Sequence, residues 1–102
     1  MSDGLRLLAF EPATNYTVAV TGTTQSTSVD PNRTAYRIVV KPGSAVGVFV
    51  SASIGAQAVS SSNGMYLPVG AIEVLAKGNA DRINLIGDGG TATVYLTVGE
   101  GV

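Results

Sequence analysis

Carboxylates, amides and hydroxyls are the groups this chain has for chemistry. It contains no His and no Cys. That removes the commonest general base, the thiolate nucleophile, a disulfide framework and a zinc–thiolate site. The seven carboxylates are Asp3, Glu11, Asp30, Glu73, Asp81, Asp88 and Glu100. Paired carboxylates do acid–base work when one is buried and its pKa raised. Most of these fall in turns or near the ends of the chain, where water keeps them ordinary. Glu73 sits mid-strand between Ile72 and Val74, on the alternate face, as a solvent-facing residue whose functional option is an interface salt bridge.

Other constellations fail for stated reasons. Asp81, Asn84 and Asp88 offer oxygen atoms to a cation, but their spacing matches no calcium loop and suits turn-forming residues. Gly87-Asp88-Gly89-Gly90 invites a phosphate-loop reading. Such a loop works because a helix follows and donates its first amides. Thr91-Ala92-Thr93-Val94-Tyr95 follows here, which reads as strand, so a hairpin turn is expected. Nine Ser and ten Thr are nominal nucleophiles, with only Lys41 and Lys77 to act as bases, both beside turns. The expectation is a protein that is not an enzyme, with no cofactor, no metal and no small-molecule substrate.

The partners are narrowed in the same way. Six Lys and Arg are scattered along the chain, so no basic stripe exists to hold nucleic acid. No apolar run approaches the roughly 18 residues of a membrane span, and Asp3 and Arg6 interrupt the start where a signal peptide needs a clean apolar stretch. Asn15-Tyr16-Thr17 and Asn32-Arg33-Thr34 therefore read as chance matches to the glycosylation pattern. Sugar binding usually needs aromatic platforms, and Trp is absent.

Positioning falls to strands. Tyr16, Val18 and Val20 alternate with Thr17, Ala19 and Thr21. The same period of two runs through Tyr36–Lys41, Val46–Ser51 and Ala92–Val98, as in half-buried strands. Leu5–Phe10, Met65–Leu67, Ala71–Leu75 and Arg82–Ile86 are shorter candidates, making about eight strands and no amphipathic helix. Asp30-Pro31-Asn32-Arg33 suits a type I turn and Lys41-Pro42-Gly43-Ser44 a type II turn. Ser60–Gly64 reads as a flexible polar loop and Lys77–Asp81 as a tight reversal. The hydroxyl-rich tract Thr21–Ser28 is either an exposed loop or an edge strand that pairs with a neighbouring chain. At 102 residues the expectation is one all-β domain over residues 1–102, an antiparallel β-sandwich of jelly-roll type, with residues 1–15 as an N-terminal arm or first strand.

Surface chemistry points to a covered molecule. Charged residues are 13% of the chain, about half the usual share. The net charge is -1 and the mean hydropathy is +0.32. Little repulsion keeps copies apart, so some apolar surface is expected against a partner, and the chain is expected to be a homo-oligomer. Phe49 and Tyr95 each lie opposite the main apolar row of their strand, placing them over a second sheet face or in an interface.

Three stretches carry a resemblance. Tyr36–Ser44 runs into Ala45–Ser51, and later come Leu67–Leu75 and Asp88–Val102. This succession of strands and turns resembles the small all-β virion proteins of tailed bacteriophages, especially the decoration or cement proteins that coat capsids. The resemblance implies a jelly-roll-like sandwich bound as a dimer or trimer to the outside of a shell of major capsid protein, made in the host cytoplasm and located on the virion, where it stabilises the head. It carries over no active site. Interface candidates are Arg6, Arg33, Arg37 and Arg82 as polar anchors, with Phe49, Glu73 and Tyr95. The alternatives are another virion component, such as a head fibre, collar or tail protein, or a carbohydrate-binding or adhesion module.

Overall fold

A computed structural model describes residues 10–101. Eight strands form among them: β1 (Glu11–Val20), β2 (Gln25–Ser28), β3 (Ala35–Val40), β4 (Val48–Ser53), β5 (Met65–Leu67), β6 (Ile72–Ala76), β7 (Arg82–Gly87) and β8 (Ala92–Glu100). Two antiparallel sheets result. Sheet A has the order β1-β8-β3-β6 and sheet B the order β2-β7-β4-β5. Successive strands switch sheets at every connection except β4 to β5. That is the jelly-roll arrangement of two packed sheets.

The alternating residues explain the packing. Sheet A turns Val18, Val20, Tyr36, Ile38, Val40, Val94, Leu96 and Val98 inward, and sheet B turns Val48, Val50, Leu67, Ile83 and Leu85 to meet them. All of these are buried. Small branched side chains in a period of two give each sheet one dry face, and two such faces close the core.

Turn chemistry sets the corners. Arg33 N–H donates to the Asp30 carbonyl at 3.3 Å, with Pro31 between them, and Asn32 N–H is held by the Asp30 side chain at 2.9 Å. Ser44 N–H donates to the Lys41 carbonyl, and Gly43 takes the positive φ of 92° that a type II turn requires at that place.

Several expectations change. Thr21–Ser28 does contain an edge strand, whose residues Gln25–Ser28 pair on one side with β7 of the same chain. The strand expected over Leu5–Phe10 lies outside the described residues except for Phe10, which is not in a strand. The first strand begins at Glu11 and is interrupted by a register shift between Pro12 and Thr14. Gly87-Asp88-Gly89-Gly90 is not a hairpin turn within one sheet, because β7 belongs to sheet B and β8 to sheet A. Ser60–Gly64 is a tied turn, not a flexible loop. Gly64 N–H donates to the Ser60 carbonyl at 2.9 Å, and the Asn63 side chain accepts from Ser60 N–H at 2.7 Å.

Candidate interaction surface

The two outer sheet faces differ. The centre of sheet B is covered by its own chain, and Tyr66 at the β5 edge stays 47% exposed. The connection from β4 to β5 folds back over the sheet and plugs it with Val59, which is buried. Asn84 lies under this cover. It points away from the core, since its neighbours Ile83 and Leu85 point in, yet it is fully buried. Its carbonyl oxygen accepts from Ser26 Oγ at 2.7 Å and from Gln57 N–H at 3.3 Å. Its amide donates to Ser51 Oγ at 3.2 Å and Ser53 Oγ at 2.9 Å. One side chain thus ties β2, β4, β7 and the loop together, and its polar groups are satisfied as burial requires. Val59 is held from the other side by Thr24, whose hydroxyl accepts from Val59 N–H at 3.2 Å. Phe49 packs against Tyr66 on this face, with ring centroids 5.2 Å apart and planes tilted by 53°.

Sheet A has no such cover among the described residues. Register places Thr17, Tyr95, Val39 and Ile72 in one row across its four strands. The next row is Asn15, Thr97, Arg37 and Val74. These residues point outward because their strand neighbours Val94, Leu96, Ile38 and Val40 fill the core. Tyr95 is 40% exposed, Ile72 56% and Val74 36%. Arg37 is exposed, and Thr97 Oγ1 donates to Asn15 Oδ1 at 2.7 Å. Lys41 follows the last residue of β3 at the end of the same face and is also exposed. Among the described residues no carboxylate belongs to the outward rows of this sheet. At the opposite end Phe10 packs against Gly99, and an open groove of about 500 Å³ runs between Phe10, Pro12, Asn15, Arg37, Val74 and Thr97.

This surface has the make-up of a contact patch. An apolar centre with Tyr and Arg, flanked by hydroxyls, matches the residues that concentrate binding energy in protein interfaces. Burying the exposed parts of Tyr95, Ile72 and Val74 offers roughly 2–4 kcal/mol in total. That is less than the ~4–15 kcal/mol that association costs in lost freedom, so a single such contact is weak and needs repetition or a broad rim.

The expected interface residues separate. Tyr95 and Arg37 share the bare face. Phe49 is half-buried beneath Tyr66 and belongs to the covered face. Glu73 is exposed, but it stands opposite Ile38, on the inward side of sheet A, and not on the solvent face as the alternation suggested. It escapes burial because β6 is the edge strand. A charge aimed inward at an edge discourages another strand from pairing there. Arg33 is turned to local use, 3.6 Å from Asp30 and 4.0 Å from Glu100, with Thr34 Oγ1 donating to Glu100 at 2.9 Å. Arg82 opens β7 opposite Ser28 and Ser53, half-buried, with no hydrogen-bond partner for its Nε among the described residues. Arg6 lies outside the described residues. Ile72 and Val74 were missed as contact residues. The signal was present in their strand, where apolar residues flank Glu73 on both sides.

Lys77, one of the two lysines considered as a base, is buried. Its Nζ donates to the Ala80 carbonyl at 2.6 Å and closes the reversal between β6 and β7. Burial pulls its ammonium pKa below the ordinary lysine value, while Asp30, Glu100 and Asp81 pull the other way. No hydroxyl stands among its hydrogen-bond partners. Asp81, Asn84 and Asp88 are spread along and beyond β7, and no acidic cluster able to hold a metal forms among the described residues.

No protein-family description matches the sequence, and no curated protein matches it either. Among solved structures, a protein of Bacillus endospore appendages, which are described as a novel family of disulfide-linked pili, is similar to this chain, with a TM-score of 0.53, 10% identity, and coverage of 90% of this chain and 88% of that one. The likeness is one of fold, and this chain, having no Cys, brings no thiol to a disulfide.

Proposed function

We propose that the chain is a non-enzymatic structural subunit whose bare sheet face is covered by neighbouring subunits in a multi-copy assembly. The observation that carries this reading is the asymmetry between the faces: the centre of sheet B is capped by its own loop, which leaves Tyr66 exposed at the β5 edge, and sheet A presents Tyr95, Ile72 and Val74 together to solvent. Tight jelly-roll packing makes a rigid block, and low charge lowers the desolvation cost of a flat contact. The specific assembly we infer is the surface of a phage head, where the chain decorates a shell of major capsid protein as a homo-oligomer and stabilises it. The resemblance of Tyr36–Ser51, Leu67–Leu75 and Asp88–Val102 to capsid decoration proteins supports that choice.

The test mixes the purified chain with undecorated, expanded capsids. Stoichiometric co-sedimentation and a raised capsid melting temperature are expected, both lost in a Tyr95→Lys variant. Absence of binding by the unaltered chain overturns the capsid assignment. A second reading, a filament subunit, draws on the fold shared with the endospore appendage protein. Its copies would be joined without disulfides, and electron microscopy of the concentrated chain would reveal fibres.

A further inference from the structure

We propose that Asn63–Gly64 is a self-modification site: when the turn that holds it opens, the Asn63 amide is converted to a carboxylate without an enzyme, and the change hinders the cover of sheet B from closing again. The site lies on the opposite sheet from Tyr95 and stands whatever covers sheet A. Of the five Asn residues, only Asn63 precedes Gly. A side chain on the following residue hinders this reaction, so Asn before Gly is the pair most prone to it. The chemistry balances with water alone. The Gly64 nitrogen gives up its proton to solvent and attacks Asn63 Cγ. An N–Cγ bond forms, the Cγ–Nδ2 bond breaks, and Nδ2 leaves as ammonia with a proton taken from water. A second step with water opens the resulting cyclic imide. Opening at Cγ leaves an aspartate in the ordinary backbone, and opening at the backbone carbonyl leaves an isoaspartate whose chain runs through Cβ. Nothing is oxidised or reduced; the net change is hydrolysis of the amide to a carboxylate and an ammonium ion.

The fold asks for both halves of the pair. A Cβ on residue 64 would stand 2.6 Å from Val59 Cγ2 and 3.0 Å from Phe49 Cβ, so a side chain there displaces the buried Val59. Residue 63 has to accept and donate at once. Asn63 Oδ1 accepts from Ser60 N–H at 2.7 Å, and Nδ2 donates to the Ala58 carbonyl at 3.1 Å. The same contacts guard the amide while the turn is closed. Gly64 N–H, the attacking group, donates to the Ser60 carbonyl at 2.9 Å. Cγ swings onto that nitrogen only after both ends of the Asn63 side chain let go. Asn63 is exposed, so water reaches it as soon as they do. Surface turns open at a fraction of the cost of unfolding the whole domain, so the rate in the folded chain is set by local opening. The product does not restore the turn. A carboxylate still accepts from Ser60 N–H, but it has no proton for the Ala58 carbonyl and sets oxygen against oxygen. An isoaspartate also lengthens the backbone by a methylene, which moves Gly64 from its place beside Val59. Val59 lies between Ala58 and Ser60 and is the buried plug of the cover, so each conversion loosens it.

Peptide mass spectrometry of the purified chain, incubated at mildly alkaline pH, tests the site. In the urea-unfolded chain Asn63 is expected to convert faster than every other Asn. In the folded chain its conversion is expected to be roughly tenfold or more slower than in the unfolded one. Val59→Ala, shown to be folded by circular dichroism, is expected to convert several-fold faster than the unaltered folded chain. Thr24→Val, which removes the hydroxyl that accepts from Val59 N–H, serves as a second loosened variant. Asn63→Asp carries one of the two products from the start. Brief proteolysis is expected to cut it, and the converted chain, between Ile54 and Gly64 several-fold faster than the unaltered chain. No conversion of Asn63 in the unfolded chain overturns the site. Equal rates in the folded and unfolded chain overturn the guarding by the turn, as do folded loosened variants that convert no faster than the unaltered chain. Cleavage unchanged in both Asn63→Asp and the converted chain overturns the effect on the cover.

Discussion

Single residues show how far burial alters ordinary side chains in a fold with so few charges. Tyr36 is 3% exposed in the core, and burial raises its pKa from 10.0 to about 12. The folded state therefore holds its proton more tightly than the unfolded chain does. Its contribution is fully present below pH 10 and is lost as pH rises from 10 towards about 12, a loss on the order of 2–3 kcal/mol. Tyr36→Phe is expected to leave stability near neutral pH little changed and to flatten this alkaline decline in denaturant titrations. An unchanged decline in the variant would assign it to other groups. Lys77 has the opposite sign, because its lowered pKa means that stability rises with pH as the folded state sheds a proton that the unfolded chain still keeps. Residue types were legible in the sequence where they excluded chemistry: without His or Cys, the hydroxyls had no obvious activator. Asn84 was not legible. Its strand, Arg82–Ile86, is legible, but its burial depends on a loop that returns from β4 to cover it.

Elements were legible where one face is dry and the other wet. β3, β4 and β8 alternate cleanly for that reason. β5, only three residues long, was found over the same residues, Met65–Leu67. β2 was missed as an intrachain strand because Gln25, Ser26 and Thr27 are all half-buried among polar neighbours, which leaves no apolar period to detect. The loop from β4 to β5 was equally hidden. Its cover is made of backbone and hydroxyl hydrogen bonds centred on Asn84, with Val59 as the single buried apolar plug. The loop and Asn84 therefore stand or fall together. Asn84→Ala is expected to cost about 1–3 kcal/mol, since it removes four hydrogen bonds to half-buried Ser26, Ser51 and Ser53 and to the Gln57 amide. It is also expected to speed proteolysis between Ile54 and Gly64 more than global unfolding does. A loss under about 0.5 kcal/mol with an unchanged cleavage pattern would mean that the loop is held by Val59 and Thr24 alone.

The whole molecule is a sandwich with one finished side and one unfinished side. Composition showed that apolar surface was in excess, but not where it lies. Position depends on strand order, and strand order is set by which sheets pack together across the core, which local alternation does not encode. Once β8 is flanked by β1 and β3, with β6 outside β3, the outward residues of four separate segments become one patch. The inward aim of Glu73 guards the β6 edge, so at that side of sheet A the broad face is the surface offered to neighbours. The central claim is that this face is covered in the protein's working state. Sedimentation velocity of the unaltered chain and of Tyr95→Lys, across the micromolar range, tests it most directly. The unaltered chain should form oligomers that grow with concentration, and Tyr95→Lys should sediment as a monomer throughout. A monodisperse monomer at every concentration for the unaltered chain, or oligomers untouched by Tyr95→Lys, would contradict it.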